Sequence, residues 1–184
     1  MIKSKLKDLD FYLNDLLFLQ QNYENIKNDC LKVKYKRLKL KSHVKQYENN
    51  FEYGFESWKI YPIMYKGKLL KKIPFTHKPK NTIEIIKRIG IEKICNATFS
   101  KFEPTIMSKV HVDKTPYTYR SHLGLIVPKD SGFELDGEDY KVEESHINLF
   151  STENYHKAWN NSNSDRYILI MDFFRPGYDR SVFQ

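Results

Sequence analysis

The sequence predicts a mainly β protein, a sandwich or barrel, preceded by an N-terminal helical extension. From residue 92 onward, short β-type segments follow one another with turn residues between them and almost no helix. Ahead of them, residues 4–28 carry leucines at helical spacing. With 184 residues, 40% of them hydrophobic and 15% aromatic, the chain is long and apolar enough to bury a real core. That composition excludes a disordered chain.

Taken in order, Leu6, Leu9, Leu13, Leu16 and Leu17 define the core face of a helix over residues 4–28. Residues 31–41 alternate apolar and basic, so strand and helix both stay open there. "SWKIYPIMYKGKLLKKI" predicts two strands around a turn at Lys66-Gly67. "KNTIEIIKRIG" predicts a short helix capped by Asn81 or Thr82 and stopped by Gly90. The β-type segments are 92–102, 105–112, 117–127, 132–135, 138–142, 146–150, 155–159 and 166–174, with a tight hairpin at Asp136-Gly137. Pro176-Gly177 reads as a strand stop. No internal repeat interrupts this plan, which divides the chain into an extension, 1–50, and a β domain, 51–184.

Lys and Arg outnumber Asp and Glu by 31 to 23, a net charge of +8. Much of that excess lies in "LKVKYKRLKLKSHVK", residues 31–45. No nucleic-acid-binding motif accompanies it. A solvated basic face is the default reading, and an acidic partner or anionic membrane surface the sharper one. Cys30 and Cys95 are too few and too far apart for a disulfide framework or a zinc site. No leader pattern is visible and no apolar run reaches the roughly 20 residues that cross a bilayer. A cytoplasmic address is the expectation.

The chemistry concentrates in "HVDKTPYTYRSHLGLIVP", residues 111–128. Side chains two apart on a strand share a face. His111 therefore goes with Asp113, and Arg120 with His122 and Gly124, while Leu123, Leu125 and Val127 face the other way. If those apolar residues fill a core, the polar set faces water or a polar cavity, and a buried guanidinium there needs an anion. His156 and Arg166 repeat the theme in "YHKAWNNSNSDRYILIMDFFRP". An HxD pair with a distant His can hold one face of a six-coordinate Fe(II). An Arg about ten residues later could take a carboxylate in a bidentate contact. HxD is a common spacing, and on these residues alone a structural role stays open.

"FSKFEP", "HVD", "YRSHLGLIVP", "FELDGE" and the His156–Pro176 block together resemble the aspartyl/asparaginyl β-hydroxylase family, over roughly residues 51–178. Residues 1–50 show no such likeness. The resemblance implies a cupin-like double-stranded β-helix, or jelly roll, that uses Fe(II), 2-oxoglutarate and O2. It makes His111 and His156 iron ligands. It also matches Ser100 and Arg166 to the distal carboxylate of 2-oxoglutarate, and Arg120 and His122 to its C1 carboxylate beside the metal. Some relatives have glycine two residues after the first His; here Asp113 completes a two-histidine, one-carboxylate set.

The expected activity is hydroxylation of an unactivated C–H bond in an amino acid or a short, Asp/Asn-like peptide. A lipid-linked acyl substrate and a non-catalytic anion-binding cupin are the alternatives. His43, His77 and His146 read as surface or ordinary hydrogen-bonded histidines, Trp58 and Trp159 as core or cavity-wall aromatics. Asp172 reads either as orienting a neighbour or as solvated.

Overall fold

A computed structural model describes residues 1–37, 49–70, 78–140 and 142–178. His43, His77 and most of the basic run at 31–45 lie outside them. The chain opens with a strand, β1 (Ile2–Ser4), followed by α1 (Leu9–Gln21) and α2 (Tyr23–Lys32). The single helix expected over 4–28 is thus a strand and two helices. The break falls at Asn22, whose side-chain amide donates to the Phe18 carbonyl at 2.9 Å and competes with the helical ladder. The buried stripe runs through the break as Tyr12, Leu16, Leu19, Tyr23, Ile26 and Cys30, spaced alternately four and three apart. Leu17, expected on that face, is exposed. The aromatic members complete their polar ends inside the protein: Tyr12 donates to the Phe174 carbonyl and Tyr23 to the Leu125 carbonyl.

Next come β2 (Lys36–Arg37), β3 (Phe51–Tyr53), β4 (Trp58–Tyr65) and β5 (Lys68–Leu69). The turn joining the last two has positive φ at Lys66 and Gly67, the hairpin geometry that matches strand twist. The helix α3 (Lys80–Ile89) ends at Gly90, φ 112°, as expected. Its start differs. Neither Asn81 nor Thr82 caps it; Asp29 of α2 does, accepting from the Thr82 N–H at 2.8 Å, the Thr82 hydroxyl at 3.0 Å and the Asn81 amide at 3.1 Å.

The remaining strands are β6 (Ile94–Phe102), β7 (Ile106–Ser108), β8 (Thr118–Ile126), β9 (Ser131–Leu135), β10 (Glu138–Tyr140), β11 (Ile147–Phe150), β12 (His156–Asn160) and β13 (Arg166–Phe174). All the β-type segments read from the sequence are there. Asp136 and Gly137 both have positive φ between β9 and β10, the tight hairpin expected.

Two sheets form. The larger runs β1-β11-β8-β13-β6-β4-β2, with β5 on β4; the smaller runs β10-β9-β12-β7-β3. From β6 onward the chain crosses between the two sheets at every step except the β9–β10 hairpin, the double-stranded β-helix of a jelly roll. The larger sheet is buried on both faces. Outward, Phe99, Leu123, Leu125, Ile147, Leu149, Leu169, Met171 and Phe173 join the apolar sides of α1, α2 and α3 in one core. That layer holds the larger sheet rigid, at roughly 1.5–3 kcal/mol per large side chain. Its inner face is free for polar residues.

Candidate active site

The inner face of the larger sheet gathers the polar residues of alternate positions. Arg120 and His122 on β8, Arg166 on β13 and Ser100 on β6 line one cavity with Trp58, Phe102, Ile168 and Ile170. The smaller sheet closes it with Phe133, His156 and Ala158, and His111 and Asp113 enter from the segment between β7 and β8. Leu123 and Leu125 point the other way, into the helical core. A strand carrying both sets serves two environments through its pleat alone.

His111 pairs with His156 as an antiparallel bridge, exchanging N–H to carbonyl bonds of 3.0 and 2.9 Å. The backbone thereby aims both rings inward, with centroids 4.4 Å apart. Each ring is oriented by a carbonyl two residues upstream. Nδ1 of His111 lies 2.8 Å from the Lys109 oxygen, and Nδ1 of His156 lies 2.9 Å from that of Asn154. A carbonyl only accepts, so each Nδ1 carries the hydrogen and each Nε2 keeps its lone pair for a metal. Asp113 is held by its N–H on the Thr152 carbonyl, 2.8 Å. One donor atom from each of His111, Asp113 and His156 can be chosen so that all lie within 4.8 Å of one another. Two imidazoles and a carboxylate are a donor set that suits Fe(II), and the residues present fit it.

The charges are set by burial and by each other. Burial and nearby His111 pull the His156 imidazole down to about 4, so it is neutral at physiological pH as a ligand must be. Burial opposes ionisation of Asp113, but Arg120, His156 and His111 outweigh it and hold the carboxyl below its usual range. His122 is kept neutral by burial and by Arg120 and Arg166; its ring packs edge-on to Phe133 and Phe150.

The two arginines differ. Arg120 gives Nη1 to Asp113 at 2.6 Å and Nε to Asp172 at 2.7 Å. The carboxylates outweigh burial and hold its guanidinium firmly protonated. Arg166 is 2% exposed, and its Nε and Nη2 meet no partner among the described residues. Burial alone pulls its guanidinium down to about 10, leaving it charged at neutral pH. An unpaired buried guanidinium is costly, so the cavity beside it is built for an anion. Ser100, 2% exposed, accepts from Trp58 Nε1 at 3.0 Å on the same wall.

The expected set His111, Asp113, His156, Ser100, Arg120, His122 and Arg166 thus lines one cavity. Trp58 is a cavity wall; Trp159 lies across Gly132 on the neighbouring strand, where an added Cβ would meet its ring at 2.2 Å. His146 sits beside Glu143 at 3.2 Å, away from the site. The sequence reading left Asp172 undecided, and it missed Asn96 and the orienting carbonyls. No motif marks a backbone carbonyl, and only strand pairing brings Asn96 and Arg120 to either side of Asp172.

The chain belongs to the aspartyl/asparaginyl beta-hydroxylase family, whose model matches residues 20–176. The match begins inside the segment that showed no likeness by eye. A curated relative, the ornithine lipid ester-linked acyl 2-hydroxylase of Rhizobium tropici, is 33% identical over 91 residues. Those residues are 47% of this chain and 32% of that protein, so the match spans about a third of the relative's length. Similar solved structures include KdgF from Halomonas sp., 11% identical, TM-score 0.43, covering 71% of this chain and 91% of that one. Another is the cupin-2 domain Rru_A2000 from Rhodospirillum rubrum, 9% identical, TM-score 0.43, covering 77% and 69%. No helix among the described residues is long and apolar enough to cross a membrane.

Proposed function

We propose that this hydroxylase-family protein is an Fe(II)- and 2-oxoglutarate-dependent dioxygenase. One observation carries the reading: a His111–Asp113–His156 donor cluster and the unpartnered, buried Arg166 line the same cavity. A metal site alone would fit many cupins; a metal site facing a fixed buried cation fits a metal-chelating dianion. When bound, iron with 2-oxoglutarate and O2 supplies the oxidising power that converts C–H to C–OH, as 2-oxoglutarate is oxidised to succinate and CO2.

The chain's own residues bind and orient. His111, Asp113 and His156 would hold the metal. Arg166 takes the distal carboxylate, with Ser100 beside it, and a planar fork fixes the direction of a planar acceptor. Phe51, Trp58, Phe102, Phe133 and Ile168 supply an apolar wall that keeps water from the reacting carbon. His122, neutral and buried, is placed to face the metal-proximal end without adding charge.

The substrate is an amino acid or short peptide on the family's pattern. The Rhizobium relative, named for acting on an ester-linked acyl chain, favours a second reading, a lipid-linked acyl substrate. Succinate release under Fe(II), 2-oxoglutarate and air, screened across amino acids, Asp/Asn peptides and acyl lipids, tests the reaction and sorts the substrates. Loss of release in both His111→Ala and His156→Ala is expected. Near-normal turnover in either variant with iron in modest excess would remove the metal assignment.

A further inference from the structure

The cavity holds one buried arginine waiting for an anion and one whose anions are already present. Arg120 spends its Nη1 on Asp113 Oδ2, 2.6 Å, and grips Asp172 with Nε at 2.7 Å and Nη2 at 3.3 Å. Asp172 is 3% exposed and is itself held by the Asn96 amide at 2.9 Å. Strand pairing sets this order, since Asp172 sits directly between Asn96 on β6 and Arg120 on β8. Asp113, by contrast, lies outside the strands, where no ladder fixes the direction of its side chain. The contact from Arg120 supplies that direction.

We propose that Asp172 is a positioning residue for the metal site, acting through Arg120 on Asp113. The inference rests on the metal-site reading above. Two effects combine. Asp172 and Asn96 hold the Arg120 fork in one orientation, so one Asp113 oxygen is pinned and the carboxylate stays beside His111 and His156. Asp172 also neutralises Arg120, so the three-residue set keeps a net negative charge toward an incoming cation. Without the Asp172 carboxylate, Arg120 would turn wholly onto Asp113, the set would be neutral, and a divalent metal would be held less tightly.

Co(II) titration of the full chain under argon, without 2-oxoglutarate or substrate, reads this directly through the visible bands. Asp172→Asn is expected to weaken Co(II) binding roughly tenfold and to alter those bands. Combined with Asp113→Asn it should add little further, because the effect passes through Asp113. A merely structural role would lower the melting temperature of the metal-free protein and leave the Co(II) affinity of the folded fraction alone. Binding by Asp172→Asn within twofold of wild type overturns the proposal, as do losses that simply multiply in the double variant. If Asp172→Asn does not fold, Arg120→Lys decides: it keeps the charge but cannot span both carboxylates. Roughly tenfold weaker binding supports the bridge, and binding within twofold of wild type overturns it. Wild-type protein that binds no Co(II) at all removes the metal reading along with this one.

Discussion

Arg166 shows how a single side chain can be a cost to the fold and an asset to the site. Its fork is buried with Nε and Nη2 unpartnered among the described residues, and it lies over the Phe102 ring, 5.6 Å from the guanidinium carbon. A cation–π contact recovers only part of the lost hydration. Replacing Arg166 with Met should therefore raise the melting temperature of the ligand-free protein while abolishing measurable 2-oxoglutarate binding. Arg166→Lys keeps charge without the fork and should weaken 2-oxoglutarate binding by roughly 10- to 100-fold, the worth of about 1.5–3 kcal/mol for a charged hydrogen bond. Calorimetric titration and thermal melts on the same samples check both halves; wild-type affinity in the Met variant would show that the anion sits elsewhere. At this scale the sequence was readable where chemistry is rare. Two histidines, a carboxylate and two arginines on or beside otherwise apolar strands stand out because burying them needs a reason. Asn96 did not stand out and Asp172 stayed undecided, since an Asn or Asp near a strand end has many ordinary explanations, and their partnership exists only across paired strands.

Among elements, the strands and the Gly90 stop of α3 were legible, and the other helix boundaries were not. Strand positions follow from alternation and turn residues, both local, and the two tight hairpins at Lys66-Gly67 and Asp136-Gly137 are marked by their own turn residues. The start of α3 depends on a residue some fifty positions away. Asp29 is 2% exposed and accepts three hydrogen bonds from the first turn of that helix, where no side chain of its own caps it. Such a cap cannot be seen by scanning neighbours for Ser, Thr, Asp or Asn. Gly124 is similar: it reads as one more residue of an apolar strand, yet an added Cβ would meet the Glu143 carbonyl oxygen at 2.2 Å. Asp29→Ala should lower the free energy of unfolding by about 1–3 kcal/mol, leaving three donors of the helix start without their acceptor. Urea unfolding with an unchanged slope measures it, and a loss under about 0.5 kcal/mol would mean water replaces the cap at no cost.

For the whole molecule, the site's ligands and the fold's stability draw on the same protonation states. The helices α1 and α2 share one core with the back of the larger sheet, so the first thirty residues help hold the cavity wall in place. On the cavity side, burial lowers His156 to about 4 and keeps His122 well below its ordinary value. In the unfolded chain both titrate near 6.5. Above that pH they are neutral in both states and contribute nothing to the pH dependence. As pH falls through 6.5, the unfolded chain takes up protons that the folded one refuses, and stability drains away until about pH 4. His156 alone accounts for on the order of 3 kcal/mol over that span. The metal-free protein should therefore melt progressively lower between pH 7 and pH 5. Saturating Fe(II), or Mn(II) as an air-stable substitute, binds only the folded state and only neutral imidazole. It should raise the melting temperature at pH 7, by about 2.7 kcal/mol worth of stability at a hundredfold excess over Kd. The gap between metal-loaded and metal-free curves should hold to about pH 5 and close toward pH 4, where the folded His156 ring takes up its proton. Differential scanning fluorimetry across that range, with His156→Gln as the control, reads both limbs at once. The variant should lose the metal shift and show a shallower fall toward pH 5. A wild-type melting temperature that stays level from pH 7 to pH 5 would mean that His156 meets solvent readily, and that the cavity walls do not shield it.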